Sequence, residues 1–164
     1  MAQFVDPNEL LFSTWEPKLA NRFLMRIDGI PSYLIKKAQR PTIESSEIEL
    51  PHINITRYTK GKTKWGGTAE LELYDPITPS GAQIVMEEIR KSHESVTGRD
   101  SYGDFFMKDM TVEVLGPVGD VVESWTYKGA WIKSADFGGL DWAEEATPLM
   151  INLTIQYNYA ILQF

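Results

Sequence analysis

Cysteine is absent from this chain. Disulfides, thiolate metal sites and a cysteine nucleophile are therefore excluded. Histidine is nearly absent too: only His52 and His93 occur, and no metal-ligand spacing links them. A Ser-His-Asp triad has no support from so few histidines. Neither a G-x-G-x-x-G run nor a Walker pattern is present, so no phosphate-cradling loop is expected. The chain also lacks an apolar run of the roughly 20 residues that a membrane-spanning helix needs. Its first residues, Met1-Ala2-Gln3-Phe4-Val5-Asp6, lack the charged start and apolar core of a signal peptide. The expectation is a protein made and kept in a cytoplasm. Cations are outnumbered, and the formal net charge of -7 argues against tight nucleic-acid binding, which needs a clustered basic surface. The acidic pairs Glu87-Glu88 and Glu144-Glu145 are adjacent in sequence and suit solvated faces better than general acid–base work. No catalytic residue, metal or cofactor is expected.

What is present is alternation. The 164 residues suit one domain, taken as 1–164, with a hydrophobic fraction of 43% and five tryptophans. Residues 1–20 carry Phe4, Leu10, Leu11, Phe12 and Trp15 along with Pro7 and Pro17, which reads as an arm lying on a surface. Asn21 to Asp28 alternates as a strand, Asp28-Gly29 signals a turn, and Tyr33 to Ala38 returns. Ile43 to Ile55 reads as extended chain interrupted by Pro51, Lys60-Gly61-Lys62 is a turn signal, and Thr63 to Trp65 returns. Thr68 to Tyr74 is a further strand. Then the period changes: Ala82, Val85, Met86 and Ile89 form a helical stripe after Thr78 as cap and Pro79 as first residue. That places one helix at about 79–94. Strands follow at Met110 to Leu115, Val121 to Tyr127 and Gly129 to Phe137, and a last one runs from Leu149 to Tyr159. Many short strands with turn signals predict a mainly β fold, a small barrel or two packed antiparallel sheets, flanked by one helix.

Two patterns stand out. In the last strand Ile151, Leu153, Ile155, Tyr157 and Tyr159 take one face, and Asn152, Thr154, Gln156 and Asn158 the other. The second face is polar and uncharged, as suits a wall that faces solvent without gripping charged cargo; an ordinary solvated sheet face is the plainer reading. The second pattern is charge. Between His52 and Gly67 the cations Arg57, Lys60, Lys62 and Lys64 occur without an acid, and between Gly139 and Leu149 the acids Asp141, Glu144 and Glu145 occur without a cation. These segments either pair or are solvated within one subunit, or meet between copies. A head-to-tail contact between copies would generate filaments. Trp65, Trp125, Trp131 and Trp142 are dispersed over different elements, which favours core or subunit contacts over a stacking platform for sugars or bases.

The element order, with Lys128-Gly129-Ala130-Trp131, Leu140-Asp141-Trp142, the run Asn152 to Tyr159 and the strand Asn21 to Asp28, resembles the tail tube proteins of contractile-tailed bacteriophages across essentially the whole chain. The tube component of type VI secretion systems is similar in fold. The resemblance implies a structural protein of the virion, assembled in the host cytoplasm. It implies hexameric rings stacked into a hollow tube, with a sheath outside, a baseplate initiator and a terminator at the ends, and DNA passing through the lumen unbound. It implies a stacking hairpin at about 46–65, so Arg57, Lys60, Lys62, Lys64, Asp141, Glu144 and Glu145 become candidates for contacts between rings. Asn152, Thr154, Gln156 and Asn158 become candidates for the lumen lining, with Glu70 and Glu72 next; Lys36, Lys37 and Arg40 are expected at an interface or outside. Alternatives are a type VI secretion tube subunit, a tube initiator, or, from another class, a lone β-barrel module binding sugar or a small ligand.

Overall fold

The computed structural model describes residues 16–163. Most of the expected arm, including Phe4, Leu10, Leu11, Phe12 and Trp15, lies outside the described residues; 16–20 form no strand. Nine strands follow: β1 (Phe23–Arg26), β2 (Ile35–Ala38), β3 (Ile43–Pro51), β4 (Thr56–Trp65), β5 (Thr68–Tyr74), β6 (Lys108–Leu115), β7 (Val121–Asp136), β8 (Met150–Gln156) and β9 (Tyr159–Leu162). Helix α1 spans Gly81–Arg90 and a single turn, α2, spans Gly103–Phe106. A short 3-10 turn, Ser32–Leu34, leads into β2. The fold is mainly β with one flanking helix of length, as the alternation predicts.

The strands pair in the order β1-β6-β7-β8-β5-β2, with β9 beside the first part of β7, and every pairing is antiparallel. Among the described residues no ladder joins β1 to β2. Phe23 of β1 and Ala38 of β2 nevertheless line one cavity, so the sheet curls into a barrel-like wall with an open seam between its two ends. Inward side chains fill it: Met25, Leu71, Leu73, Tyr127, Ile151, Leu153, Ile155 and Tyr157 are all at most 2% exposed. Each fully buried Leu or Ile stabilises the fold by about 1.5–3 kcal/mol. Helix α1 closes one side through Val85, with Ala82 and Ile89 packed against the same cluster.

The helix is shorter than its periodicity suggests. It starts at Gly81 after Ser80 rather than at Pro79. The Asp75 carboxylate accepts a hydrogen bond from the Ala82 N–H at 3.2 Å and so serves the open helix end in place of Thr78. Gly81 is needed for contact, since a Cβ there would come within 3.0 Å of the Tyr74 carbonyl. At the other end the Ile89 carbonyl accepts from the backbone of Ser92 and His93 and from the Ser92 hydroxyl, which stops the helix short of 94.

The strand after residue 120 is longer than predicted and the final one shorter. Val121–Asp136 is continuous: its first half pairs with β6 and β9 and its second half with β8. Gly129, at φ 64°, makes the bend between the halves. Opposite it the last strand breaks at Tyr157-Asn158, and the side-chain phase slips. Tyr157 and Ala160 point inward, so Tyr159, expected inside, is 47% exposed. A Cβ on Gly129 would sit 2.4 Å from Asn158 Nδ2. We expect Gly129→Ala to cost about 1–3 kcal/mol of unfolding free energy, and Gly98→Ala, left-handed but with open space around it, about 1 kcal/mol or less. Urea unfolding of both variants checks this; equal losses would show that the Asn158 contact carries no cost.

Candidate assembly surfaces

Strands β3 and β4 form a two-stranded sheet of their own, with no ladder to the main wall among the described residues. Their apolar side chains are exposed: Ile48, Leu50, Tyr58, Ile55 at 65% and Ile53, at the tip, fully. Lone two-stranded ribbons are marginal in water. This one is held at its root. Buried Tyr127 donates its hydroxyl to the Gln39 carbonyl, and Tyr157 accepts from the Thr42 N–H at 3.3 Å. The two rings meet edge to face at 4.9 Å. Burial and the neighbouring Tyr157 push the Tyr127 hydroxyl pKa well above its ordinary value, so it remains a donor. On the returning strand, the Gly66 N–H donates to the Thr42 carbonyl and the Tyr157 N–H to the Gly67 carbonyl, both at 2.8 Å.

A third tie is ionic. Glu123 points inward beside Trp125 and accepts hydrogen bonds from Lys18, from Arg40 at 3.3 Å and from the Trp125 indole. The Lys18 hydrogen bond leads, with Trp125 and Arg40 adding, in pulling the Glu123 pKa down to about 2 against the opposing effect of burial. Glu123 thus fixes two segments at once, the chain that enters β1 and the chain that leaves β2 for the hairpin.

The hairpin turns at 52–55, where the His52 N–H donates to the Ile55 carbonyl at 2.8 Å. Lys60-Gly61-Lys62 is therefore not the turn. It is a β-bulge inside β4: the register slips between the pairs Ser45–Thr63 and Glu47–Lys60, leaving Gly61 and Lys62 opposite Ser46. Ser46 donates to the Lys62 carbonyl at 3.1 Å, and a Cβ on Gly61 would collide with the Ser46 hydroxyl at 2.5 Å. The basic residues consequently lie along the ribbon, not at its tip. They also have acidic neighbours in β3, with Glu44 opposite Lys64 and Glu47 opposite Lys60, while Arg57 lies opposite Leu50.

Asp141, Glu144 and Glu145 sit in the exposed loop between β7 and β8. Asp141 accepts from the Ala143 N–H at 2.9 Å and shapes the turn. Among the described residues, neither these acids nor Arg57, Lys60, Lys62 or Lys64 makes an ion pair within the subunit. The same loop carries Leu140 at 86% and Trp142 at 106% exposure.

The neutral strand face sits on the outer side of the β7-β8-β5-β2 sheet. Asn152 lies between Glu72 and Asp136, Thr154 between Glu70 and Ser134, and Gln156 beside Thr68. Glu70 and Glu72 thus share one surface with Asn152, Thr154 and Gln156. Asn158 does not join them; it lies past the end of β8, at the Gly129 corner. A register shift after Ile35 turns both Lys36 and Lys37 outward, and Lys36 reaches Glu72 at 3.2 Å. The residues that sequence reasoning missed are Glu123, Tyr127 and Tyr157. The signal for Glu123 was there: it shares its strand phase with Trp125 and Tyr127, so it is an acid in an apolar row.

These features define a β-walled domain with an anchored, exposed two-stranded ribbon. No family model and no curated protein matches the chain. Solved structures do. A chain of the sheath/tube terminator of an extracellular contractile injection system (PVC) in its extended state aligns with a TM-score of 0.70, at 14% identity, over 93% of this chain and all of that one. A chain of the anti-feeding prophage tube-terminating cap aligns at 0.69 and 15% identity, over 97% and 99%. One from the PVC sheath–tube complex aligns at 0.61 and 13%, over 90% and 91%. The fold is the one found in the tube-bearing assemblies of contractile injection systems, a tail-tube-type fold.

Replacing Glu123 by Gln should cost about 1.5–3 kcal/mol at neutral pH, the range for hydrogen bonds to a charged group. The folded pKa is depressed, so the carboxylate's contribution is fully present above the ordinary carboxylate value of 4.5 and fades as pH falls toward about 2. Unfolding curves of the two proteins should therefore converge across that acidic window. Curves that stay parallel would show that Glu123 is not held as an anion.

Proposed function

We propose that this chain is a structural subunit of the inner tube of a contractile tail or injection system, and that it performs no catalysis. The observation that carries the reading is the anchored ribbon. Its strands hold a run of large apolar residues in water, and contiguous exposed apolar surface of this kind marks an interaction site. A second copy is the cover we favour. Subunits would close into rings, hexameric as in phage tail tubes, and the rings would stack through the ribbons. Sheath would lie outside, with a baseplate initiator and a terminator at the ends. Closing the wall around a ring would also cover the free edges of β1, β2 and β9.

In this arrangement the Asn152, Thr154 and Gln156 face, bordered by Glu70 and Glu72, lines the lumen. Uncharged and acidic groups dominate this face, with Lys36 and Lys37 at its border beside Glu72, so DNA or another acidic cargo would find few phosphate contacts to accumulate. A tube-end subunit is the second reading, favoured by the likeness to chains from a terminator and a cap assembly. Electron microscopy of the concentrated protein separates the two. A tube subunit yields hollow filaments, an end subunit yields rings that do not stack, and a protein that stays monomeric at every concentration overturns both.

Ile53→Glu together with Ile55→Glu should abolish stacking while leaving the circular dichroism spectrum unchanged, because both side chains are already exposed. Filaments as long as the wild type would remove the ribbon from the contact. The native chain has no cysteine, so single cysteines are clean probes. Thr154→Cys, in tubes with blocked ends, should resist a bulky maleimide that labels the free subunit readily. Equal labelling rates in the two states would place this face outside the lumen.

A further inference from the structure

The open seam of the wall carries a second feature. Between the entry to β1 and the exit from β2 lies an open cavity of about 220 Å³. Its floor is apolar, formed by Phe23, Ala38, Val112 and Val114. Its rim is cationic, with Lys18, Arg22 and Arg40. Of the acidic groups, Glu123 reaches two of these cations and is fully engaged in doing so. The cavity thus suits an apolar side chain of aromatic size flanked by carboxylates.

The chain displays one such group. Leu140-Asp141-Trp142, followed by Glu144 and Glu145, holds a fully exposed indole amid three acids. An exposed tryptophan beside charges is characteristic of the anchors that dominate protein interfaces. It cannot reach the cavity of its own subunit. Glu123 marks the cavity end of β7 and Asp136 the loop end. Thirteen residue steps of strand span roughly 40 Å straight, or about 30 Å if bent at a right angle. Six residues from Asp136 to Trp142 reach at most about 20 Å.

We propose that the acidic loop at 139–148 of one subunit docks into the cationic seam cavity of the next, with Trp142 seated on the Phe23–Val112–Val114 floor and Asp141, Glu144 and Glu145 facing Lys18, Arg22 and Arg40. The two surfaces differ and lie at opposite ends of β7, so the contact is head-to-tail and self-propagating. Among these cations Lys18 and Arg40 already share Glu123, while Arg22 makes no ion pair among the described residues and is the one left for an incoming acid. The inference rests on the self-assembly reading above.

The test uses the whole chain. In the double variant Ala20→Cys, Ala143→Cys, which keeps Trp142, a short bis-maleimide added to assembled protein should produce a ladder of covalent multimers on a denaturing gel; each single variant should give dimers at most. Trp142→Ala should raise the concentration for half-assembly at least tenfold, with the thermal midpoint of the free subunit unchanged. Arg22→Glu should have the same effect, and Glu144→Lys with Glu145→Lys should restore assembly in that background. If the wild type assembles but no ladder forms and Trp142→Ala assembles normally, the docking is wrong and the tube reading stands. If the wild type never assembles, both fall.

Discussion

The structure depends on one set of hydrogen bonds, those that two core tyrosines extend to residues 39–42. Tyr127 and Tyr157 are buried by the same apolar surroundings that make up the wall, yet each spends its hydroxyl on backbone outside it. The chain at that point has left β2 and not yet entered β3. Without these ties the ribbon would be a marginal hairpin on a swivel. With them, and with Arg40 held by Glu123, its base is set by the core itself. Removing either hydroxyl would leave a backbone polar group unpaired near the protein interior, which is more costly than the bond is stabilising. The orientation of the most exposed element is thus controlled by some of the most buried residues.

Much of this was legible in the sequence, and the places where it was not have physical reasons. Period-two alternation identified the strands lining the core, because burial on one face is what alternation encodes. Residues Ala82, Val85 and Ile89 identified the helix for the same reason. Bends and registers left no such trace. Gly61 looks the same in a turn as in a bulge, and only the acids and serines of β3 across from it decide which it is. Gly129 interrupts the alternation of β7 without ending the strand, since the pairing partner changes from β9 to β8 at that point. Tyr159 followed the phase of Ile151 in sequence but not in space, for a corner had intervened. The polar face of β8 was readable; its neighbours Glu72, Glu70 and Asp136 lie 80, 84 and 16 residues away along the chain, and pairing alone brings them together.

Charge has a similar lesson. A run of cations without an acid looks like a basic patch when read along one strand. Across the ribbon the patch is an alternating ladder, because β3 returns acids at matching positions. The cations that do cluster, Lys18, Arg22 and Arg40, are separated by 22 positions of sequence and converge only because β1 and β2 end side by side at the seam. Linear composition sees net charge well and local charge poorly.

The continuity of β7 has a mechanical consequence. Its sixteen residues belong to both halves of the wall, so neither half owns a complete set of strands without it. Peeling one half would strip the other of its central pairing partner. Partial melting is therefore penalised, and the subunit should resist force as one cooperative body until it gives way all at once. A conduit driven through a barrier by a contracting jacket would need that property in every brick of its wall.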